Sequence, residues 1–193
     1  MEFEVLITGI GGQGIQLVAK TLALAAMHEG RSPLLTSEVS GAMRGGHSLA
    51  AVVVGDGELR GLPVVTSAGA ALELHPMAWG DVARRLRPGA LLVANSTLCP
   101  PDDAHLDLRT YGVPATELCG QLGSPQPMGF ILLGAFNALT GLVTPDSLVE
   151  AMRELLPPYR QQHAELNRRA LDLGASQVTP GTAAVPLSQA AAR

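Results

Sequence analysis

The stretch FEVLITGIGGQGIQLVAKTLALAAMHEG, residues 3–30, indicates which class of fold this chain adopts. Residues 3–8 are mostly apolar and predict a buried strand, whereas residues 15–29 predict an apolar helix that ends before Gly30. Between them lie the six residues GIGGQG, Gly9–Gly14, of which four are glycine. A strand, a glycine-rich loop and a helix in this order are typical of the first unit of an α/β domain.

The composition favours a single domain that is partly covered by another protein. Charged residues make up only 16% of the 193 residues, against 47% hydrophobic residues, so we expect part of the surface to contact a partner subunit. A net charge of -4 without a basic run argues against a nucleic-acid binder. No apolar window reaches the ~18 residues of a membrane helix, and no signal segment precedes the first strand. We therefore expect a cytoplasmic protein.

The length of one connection predicts the direction of the third strand. A second strand, PLLTS (residues 33–37), is followed by the strongly β-prone LAAVVV (residues 49–54). A parallel return needs a crossover of a dozen or more residues, usually helical, and the connection from Ser37 to Ser48 is shorter and rich in glycine. The third strand should therefore run antiparallel to the second. RGGHS, residues 44–48, would then lie at the same edge of the sheet as GIGGQG.

The remaining pattern predicts a three-layer α/β/α single domain with a mixed, mostly parallel sheet. Residues 1–174 form this domain, and the low-complexity residues 175–193 form a flexible tail. One or two further extended pieces are predicted in PVVTSAGAALEL, and two more strands at ALLVAN and LDLRTYGV. Helices are predicted at residues 75–87, 116–122 and 128–139, after the N-cap Thr144, and at residues 159–173. The apolar helix at 128–139 and the helix at 159–173 are expected in the core or in a subunit contact rather than in a pocket.

The glycines of the first loop indicate an anion site. Gly9, Gly11 and Gly14 satisfy the pattern G-x-G-x-x-G in its required place, after a strand and before a helix. Without a Cβ, Gly12 and its neighbours let a ligand approach the backbone N–H groups at the positive end of the helix dipole. Phosphate or carboxylate is the natural ligand, and the side-chain amide of Gln13 could orient it. The alternative is close packing of the strand on the helix without a ligand.

The second glycine-rich loop supplies a charge. Arg44 precedes Gly45 and Gly46, and a guanidinium on such a loop can bind a phosphate through two hydrogen bonds. An exposed loop arginine without a ligand is the competing interpretation. A dinucleotide-binding site also needs an acidic residue about twenty residues further on, and the only candidate, Glu38, begins a loop instead of ending a strand cleanly.

Catalytic residues and metal ligands are not predicted in this chain. The two cysteines, Cys99 and Cys119, form no C-x-x-C pair and are too few for an iron-sulfur cluster, so we interpret them as buried free thiols. The five histidines show no metal-ligand spacing, and no G-x-S-x-G motif occurs.

Together the two loops resemble a known family. The segments ITGIGGQGIQLVAKTLALAA and MRGGHSLAAVVVG are similar to the gamma subunit, or gamma domain, of 2-oxoacid:ferredoxin oxidoreductases, which act on pyruvate, 2-oxoisovalerate, 2-oxoglutarate, indolepyruvate or phenylglyoxylate. The resemblance continues through LLVANS, GVPATEL, LLGAF and NRRALDLG and covers residues 4–174. Gly129 and Gly69 depart from it, because such subunits often carry Asn and Asp at these positions.

The resemblance implies the function of a subunit that is inactive alone. In such enzymes thiamine diphosphate and iron-sulfur clusters oxidise and decarboxylate the 2-oxoacid, and the acyl group is usually transferred to coenzyme A. It implies that partner subunits hold thiamine diphosphate, magnesium and the clusters, that ferredoxin or another acceptor takes the electrons, and that this chain contributes to coenzyme A handling and assembly. The glycine loops would bind coenzyme A or dock onto the thiamine-binding subunit. Two alternatives stay open: a stand-alone Rossmann-like oxidoreductase that binds NAD(P) or FAD, and a nucleotide-sensing module.

Overall fold

Six strands form one sheet in the computed structural model, which describes residues 2–39, 46–59, 64–99 and 107–183. In chain order they are β1 (Glu2–Ile10), β2 (Ser32–Val39), β3 (His47–Gly55), β4 (Ala68–Glu73), β5 (Leu86–Asn95) and β6 (Leu108–Val113). The helices are α1 (Ile15–His28), α2 (Trp79–Ala83), α3 (Ala115–Gln121), α4 (Met128–Thr140), α5 (Pro145–Leu155) and α6 (Ala164–Ala175). Short 3₁₀ helices span Pro76–Ala78 and Pro158–His163.

The sheet is mixed, and its strands lie in the order β2-β3-β1-β4-β5-β6. β1, β4, β5 and β6 pair in parallel, whereas β3 is antiparallel to both of its neighbours, β1 and β2. β3 is therefore the one reversed strand of this sheet. The short connection between Ser37 and Ser48 had predicted this reversal, and the prediction is confirmed.

Reversal of β3 brings its first residues beside the end of β1. Ile10 pairs with His47, and the N–H of Gly11 donates a hydrogen bond to the carbonyl of Gly46 at 2.8 Å. The first glycine loop and the end of the second loop therefore meet at one edge of the sheet, as predicted. Arg44 and Gly45 lie outside the described residues.

Helices of very different size cover the two faces of the sheet. On β1, Phe3, Val5 and Ile7 belong to the core under α1 and α4, whereas Leu6 belongs to a smaller core on the opposite face. That smaller core is covered by α2 and by Val65 and Cys99, among other residues of the described segments. The predicted three layers are present, but the layer over the second face is thin.

Much of the helix predicted for residues 75–87 is not helical. The 3₁₀ helix Pro76–Ala78 and the five residues of α2 occupy its place, and β5 already begins at Leu86. Pro88 and Gly89 were predicted to stop the helix, but they lie inside β5, where the register with β4 shifts between Ala68 and Ala70. This irregularity allows a proline and a glycine with φ of 74° to be part of a strand.

Helix α4 lies at the centre of the domain. Twelve of its thirteen residues are buried, and Phe136 stacks on Phe3 of β1 with ring centroids 6.3 Å apart. On its other side α4 crosses α6, and the contact is made by glycine: a Cβ on Gly134 would overlap the carbonyl oxygen of Leu171, and one on Gly174 would overlap that of Ile131. The backbones of the two helices therefore touch.

The first part of the predicted tail packs on α4. The N–H groups of Gly181 and Ala183 donate to the carbonyls of Ala138 and Leu139 at 2.9 and 3.2 Å, and Ala183 is only 1% exposed. Because these hydrogen bonds hold the chain against α4, residues 175–183 are part of the domain instead of a flexible tail. Residues 184–193 lie outside the described residues. None of the helices in the described segments combines the length and the apolar character that crossing a bilayer requires.

Candidate functional site

Two glycines give the loop between β1 and α1 its shape. Gly12 has φ of 97° and Gly14 has φ of 77°, in the left-handed region that side chains disfavour. A Cβ on either residue would meet nothing within 4 Å. These glycines are therefore required by backbone conformation, and the space above them is open.

Gln13 stabilises the loop itself. Its Oε1 accepts a hydrogen bond from the N–H of Ile10 at 2.9 Å, and its Nε2 lies 3.8 Å from the sulfur of Met128. A Cβ on Gly9 would overlap this same Oε1 and would lie 2.9 Å from Cδ1 of Ile15. Gly9 thus makes room for the Gln13 side chain. The carbonyl oxygen of this side chain bonds within the loop, whereas the prediction was that the side-chain amide orients a ligand.

The N–H groups of the loop differ in what they bind. The N–H of Gly11 is taken by the carbonyl of Gly46, and that of Gln13 by the carbonyl of Ile10 at 3.2 Å. For Gly12, Gly14 and Ile15, no residue in the described segments accepts a hydrogen bond from the backbone N–H. These three donors lie at the N-terminus of α1, where the helix dipole is positive. The N–H groups without an acceptor therefore lie towards the helix end of the loop in which the anion site was predicted.

A cavity of about 350 Å³ opens at this loop, and Gly12 and Gly14 are among its lining residues. The loop and the first turn of α1 form one side of it, and the first turn of α4 and residues around the start of α6 form the other. The lining residues are Gly12, Gln13, Gly14, Leu17, Val18, Gln126, Gly129, Phe130, Leu156, Arg160, His163 and Asn167. None of these carries a carboxylate, so the cavity suits an anionic ligand that also has an apolar part.

Sequence reasoning missed the side of the cavity that faces the loop. Arg160, His163 and Asn167 were placed in a helix of the core or of a subunit contact, yet all three line the cavity. Phe130 does so as well, although α4 is otherwise core as predicted. The spacing of three and four residues between the polar side chains is the signal that could have found them, because it puts them on one face of a helical segment.

Sequence reasoning also missed the structural role of Asn95. It is fully buried at the end of β5, where its Nδ2 donates to Oγ1 of Thr116 at 2.9 Å and its Oδ1 accepts from the N–H of Thr116 at 3.3 Å. Its Nδ2 also lies 3.6 Å from the sulfur of Met128, which Gln13 contacts from the loop. Asn95 therefore joins the start of α3 to the floor beneath the glycine loop.

Both cysteines are buried free thiols, as predicted. Burial raises the pKa of the Cys119 thiol to about 11. Across the described ranges, no three His, Cys, Asp or Glu side chains are grouped so that they could hold a metal ion.

Comparison with known proteins identifies the family. The model of the pyruvate ferredoxin/flavodoxin oxidoreductase family matches residues 4–177. The chain belongs to this family. The matched residues agree closely with residues 4–174, over which the sequence resembles a subunit of these enzymes.

Several subunits of such enzymes are similar to the chain. It is 31% identical over 177 residues to ketoisovalerate oxidoreductase subunit VorA of Methanothermobacter thermautotrophicus, and the match covers 90% of the chain but 36% of that protein. The chain thus spans about a third of the length of this relative. It is 26% identical to indolepyruvate oxidoreductase subunit IorB of Pyrococcus horikoshii, over 90% of the chain and 94% of IorB.

A solved structure of this family has the same fold. The keto/oxoacid ferredoxin oxidoreductase gamma subunit from Geobacter sulfurreducens PCA superposes with a TM-score of 0.75 at 26% identity, over 91% of the chain and 97% of that subunit. Gly129 lies where helix α4 begins. A Cβ there would lie 2.6 Å from Cγ2 of Val18, so the glycine lets α4 approach α1 at the wall of the cavity.

Proposed function

We propose that this chain is the gamma-type subunit of a 2-oxoacid:acceptor oxidoreductase that converts a 2-oxoacid to its acyl-CoA in the cytoplasm. Family membership and the likeness to a gamma subunit over 97% of its length support this assignment. Thiamine diphosphate and iron-sulfur clusters, held by partner subunits, supply the decarboxylation and the electron transfer to ferredoxin or another acceptor. With two cysteines against the four that a cluster takes, this chain fits a supporting role.

Within that complex, we propose that the loop Gly9–Gly14 binds a phosphate of coenzyme A. The observation that carries this proposal is that Gly12 and Gly14 line the cavity while no described residue accepts a hydrogen bond from their backbone N–H groups. A phosphate there would receive hydrogen bonds from the backbone and would be stabilised by the dipole of the 14-residue helix α1. Arg44, Gly45 and Gly46 remain proposed contacts from the second loop.

The remaining residues of the cavity match the uncharged part of such a ligand. Leu17, Phe130 and Leu156 give it apolar walls, which exclude water from a bound chain. A volume of about 350 Å³ is near the lower end of the range for small-molecule sites, about 300–1,000 Å³. The cavity therefore accommodates one segment of coenzyme A, and the rest of the ligand would extend towards the partner subunits.

Calorimetric titration of coenzyme A tests this proposal, with the full chain and with the native complex. Gly12→Val places a side chain in the open space above the loop and should weaken binding at least tenfold. Gly30→Val is the matched control, because Gly30 also has positive φ (76°) and open space but lies at the other end of α1. Equal affinity in the wild type and in Gly12→Val would refute the phosphate site.

The alternative role of the loops, docking onto the thiamine-binding subunit, predicts a different effect of Arg44→Ala in the assembled complex. If the loops dock onto the thiamine-binding subunit, Arg44→Ala reduces recovery of the assembled enzyme and leaves the KM for coenzyme A of the surviving complex unchanged. If they bind coenzyme A, Arg44→Ala raises that KM by roughly tenfold to a hundredfold, as expected for the loss of a charge-assisted hydrogen bond. Activity with a 2-oxoacid should appear only in the assembled complex, and substrate oxidation by the isolated chain would contradict the subunit assignment.

A further inference from the structure

We propose that Arg160, His163 and Asn167, which we call the polar wall, determine which ligand the cavity accepts. Asn167 would bind a neutral amide or hydroxyl group at the floor, and Arg160 would bind an anionic group at the mouth. This inference rests on the proposed function, because it takes the cavity to be a small-molecule site. It adds the chemical class of the ligand: one anionic group joined to a neutral chain that both donates and accepts hydrogen bonds.

The three side chains form a graded series from solvent to the interior. Arg160 is exposed, His163 is partly buried, and Asn167 is only 6% exposed. They follow one another at intervals of three and four residues, so they lie along one side of the second 3₁₀ helix and of α6. A ligand that enters the cavity would therefore meet the charge first and the amide last.

Asn167 is the strongest indication of a ligand. Its side chain is more than nine-tenths buried and lines the cavity, and no residue in the described part of the chain hydrogen-bonds to it. Because Asn167 lines the cavity, the donors and the acceptor of its amide are available to a bound molecule. The adjacent residue makes the contrast clear: Arg168 binds Glu165 at 2.7 Å and Asp172 at 2.6 Å.

Arg160 supplies the side-chain charge that the glycine loop lacks. It lies 5.6 Å from the centre of the Tyr159 ring, and within the described segments it has no carboxylate partner. With no acidic residue in the cavity lining, its field is not cancelled locally. The loop donors and Arg160 therefore favour an anion from two sides.

The wall is held in place from behind by Gln161. Its Nε2 donates to the carbonyl of Leu156 at 2.6 Å and to that of Arg153 at 3.0 Å, which fastens the 3₁₀ helix to the end of α5. Gln161 does not line the cavity. It is thus a positioning residue for Arg160 and His163, and the wall is built before any ligand arrives.

Calorimetry with three probes tests the wall in the full chain: coenzyme A, pantetheine and inorganic pyrophosphate. Arg160→Gln should weaken coenzyme A and pyrophosphate by roughly tenfold to a hundredfold and leave pantetheine unchanged. Asn167→Leu, which keeps the volume and removes the amide, should weaken coenzyme A and pantetheine by about threefold to tenfold and leave pyrophosphate unchanged. Arg169→Gln is the matched control for Arg160→Gln, because Arg169 is an exposed arginine of α6 that lies outside this cavity.

The outcomes separate this inference from the proposed function. If the wild type binds coenzyme A and both wall variants bind it equally well, the wall is refuted and the phosphate site stands. If the wild type binds pyrophosphate but not coenzyme A, and Arg160→Gln weakens pyrophosphate, the coenzyme assignment is refuted and the anion-binding role of Arg160 stands. A chain that binds none of the probes overturns both.

Thermal unfolding of Asn167→Leu guards against a purely structural effect. Because no described residue hydrogen-bonds to the Asn167 side chain, the variant breaks no hydrogen bond within the described part of the protein, and its melting temperature should stay close to that of the wild type. A large fall in melting temperature together with unchanged affinity for pantetheine would show that Asn167 serves the fold alone, and would overturn its assignment to the ligand.

Discussion

Glycines at the crossing of α4 and α6 and glycines in the loop before α1 are used in opposite ways. Gly134 and Gly174 have no room for a side chain, because each faces a carbonyl oxygen of the other helix. Gly12 and Gly14 have open space above them, and their backbone conformation is what excludes a side chain. The same residue type therefore closes the domain in one region and leaves access to N–H groups in the other.

Because of this difference, we expect a substitution of glycine to have a different effect in each of the two regions. At the crossing, any side chain must push two helices apart, and the buried core around α4 is lost with them. In the loop, a side chain costs only local strain but occupies the cavity. We expect the crossing to control folding and the loop to control binding.

The largest effect is expected from Gly134→Val. Its side chain would collide with the backbone of Leu171, which cannot move without separating α6 from α4. We expect loss of the native fold, seen as insoluble expression or as absence of a cooperative unfolding transition by circular dichroism. Gly120→Val is the control, since a Cβ on this helical glycine of α3 meets nothing within 4 Å. Cooperative unfolding of Gly134→Val near the wild-type temperature would break the comparison.

A nearly equal effect is expected from a charge in the hydrophobic core around α4, which we call the packed region. Phe136 is 0% exposed and stacks on Phe3, so Phe136→Asp removes a large core side chain and buries a carboxylate without a partner. Loss of the aromatic ring alone costs about 3–5 kcal/mol, a large fraction of the stability of a domain. Soluble yield and chemical unfolding measure the effect. Tyr159→Asp, at a ring that is 71% exposed, should leave both unchanged.

A smaller effect on stability is expected in the loop. Gly12→Val forces a branched side chain into positive φ, which costs about 1–2 kcal/mol. Gly30→Val imposes a similar backbone strain, so the two variants should show similar shifts in melting temperature while only Gly12→Val loses affinity for coenzyme A. If Gly12→Val unfolded the protein as Gly134→Val does, the loop would belong to the packed region.

The smallest effect on the fold is expected from a chemical probe, because alkylation of Cys119 only reports whether the packed region is closed. Since burial raises the pKa of Cys119 to about 11 from the model-compound value of 9.0, its thiolate fraction at pH 8 is about a hundredfold lower than that of an ordinary thiol. In a Cys99→Ser background, alkylation by iodoacetamide at pH 8 should therefore be at least about a hundredfold slower in the native protein than in urea. The rate should rise tenfold per pH unit up to the raised pKa. Equal rates in the native and unfolded states would show that α3 is open.

Local features of the sequence predicted much of the frame. The periodicity of residues 3–30 predicted β1, the loop and α1, and the length of the next connection predicted the reversal of β3. Thr144 was predicted as an N-cap, and its Oγ1 accepts a hydrogen bond from the N–H of Ser147 at 3.2 Å. These features could be predicted because they depend on neighbouring residues.

Predictions that depended on distant contacts were incomplete. The helix over residues 75–87 was too long, because pairing with β4 draws the chain from Leu86 onwards into β5. The structural role of Gln13 was not predicted: its carbonyl oxygen accepts a hydrogen bond from the N–H of Ile10 and so holds the loop, whereas its predicted contact with a ligand stays a prediction. The amide of Asn95 gave no signal in the sequence, because its partners are Leu74, which follows β4, Thr116 of α3 and Met128 of α4.

By itself, the sequence determined the order of the elements, the reversed strand and the position of the glycine-rich loop, because each depends on periodicity, connection length or the lack of a Cβ over a few residues. Only the tertiary structure decided which side chains share the cavity. Gly12 and Asn167 are far apart along the chain. They line the same cavity because α4 packs between the sheet and α6 at a crossing that admits glycine alone. A contact of this kind depends on the packing of the whole domain, which no local pattern encodes.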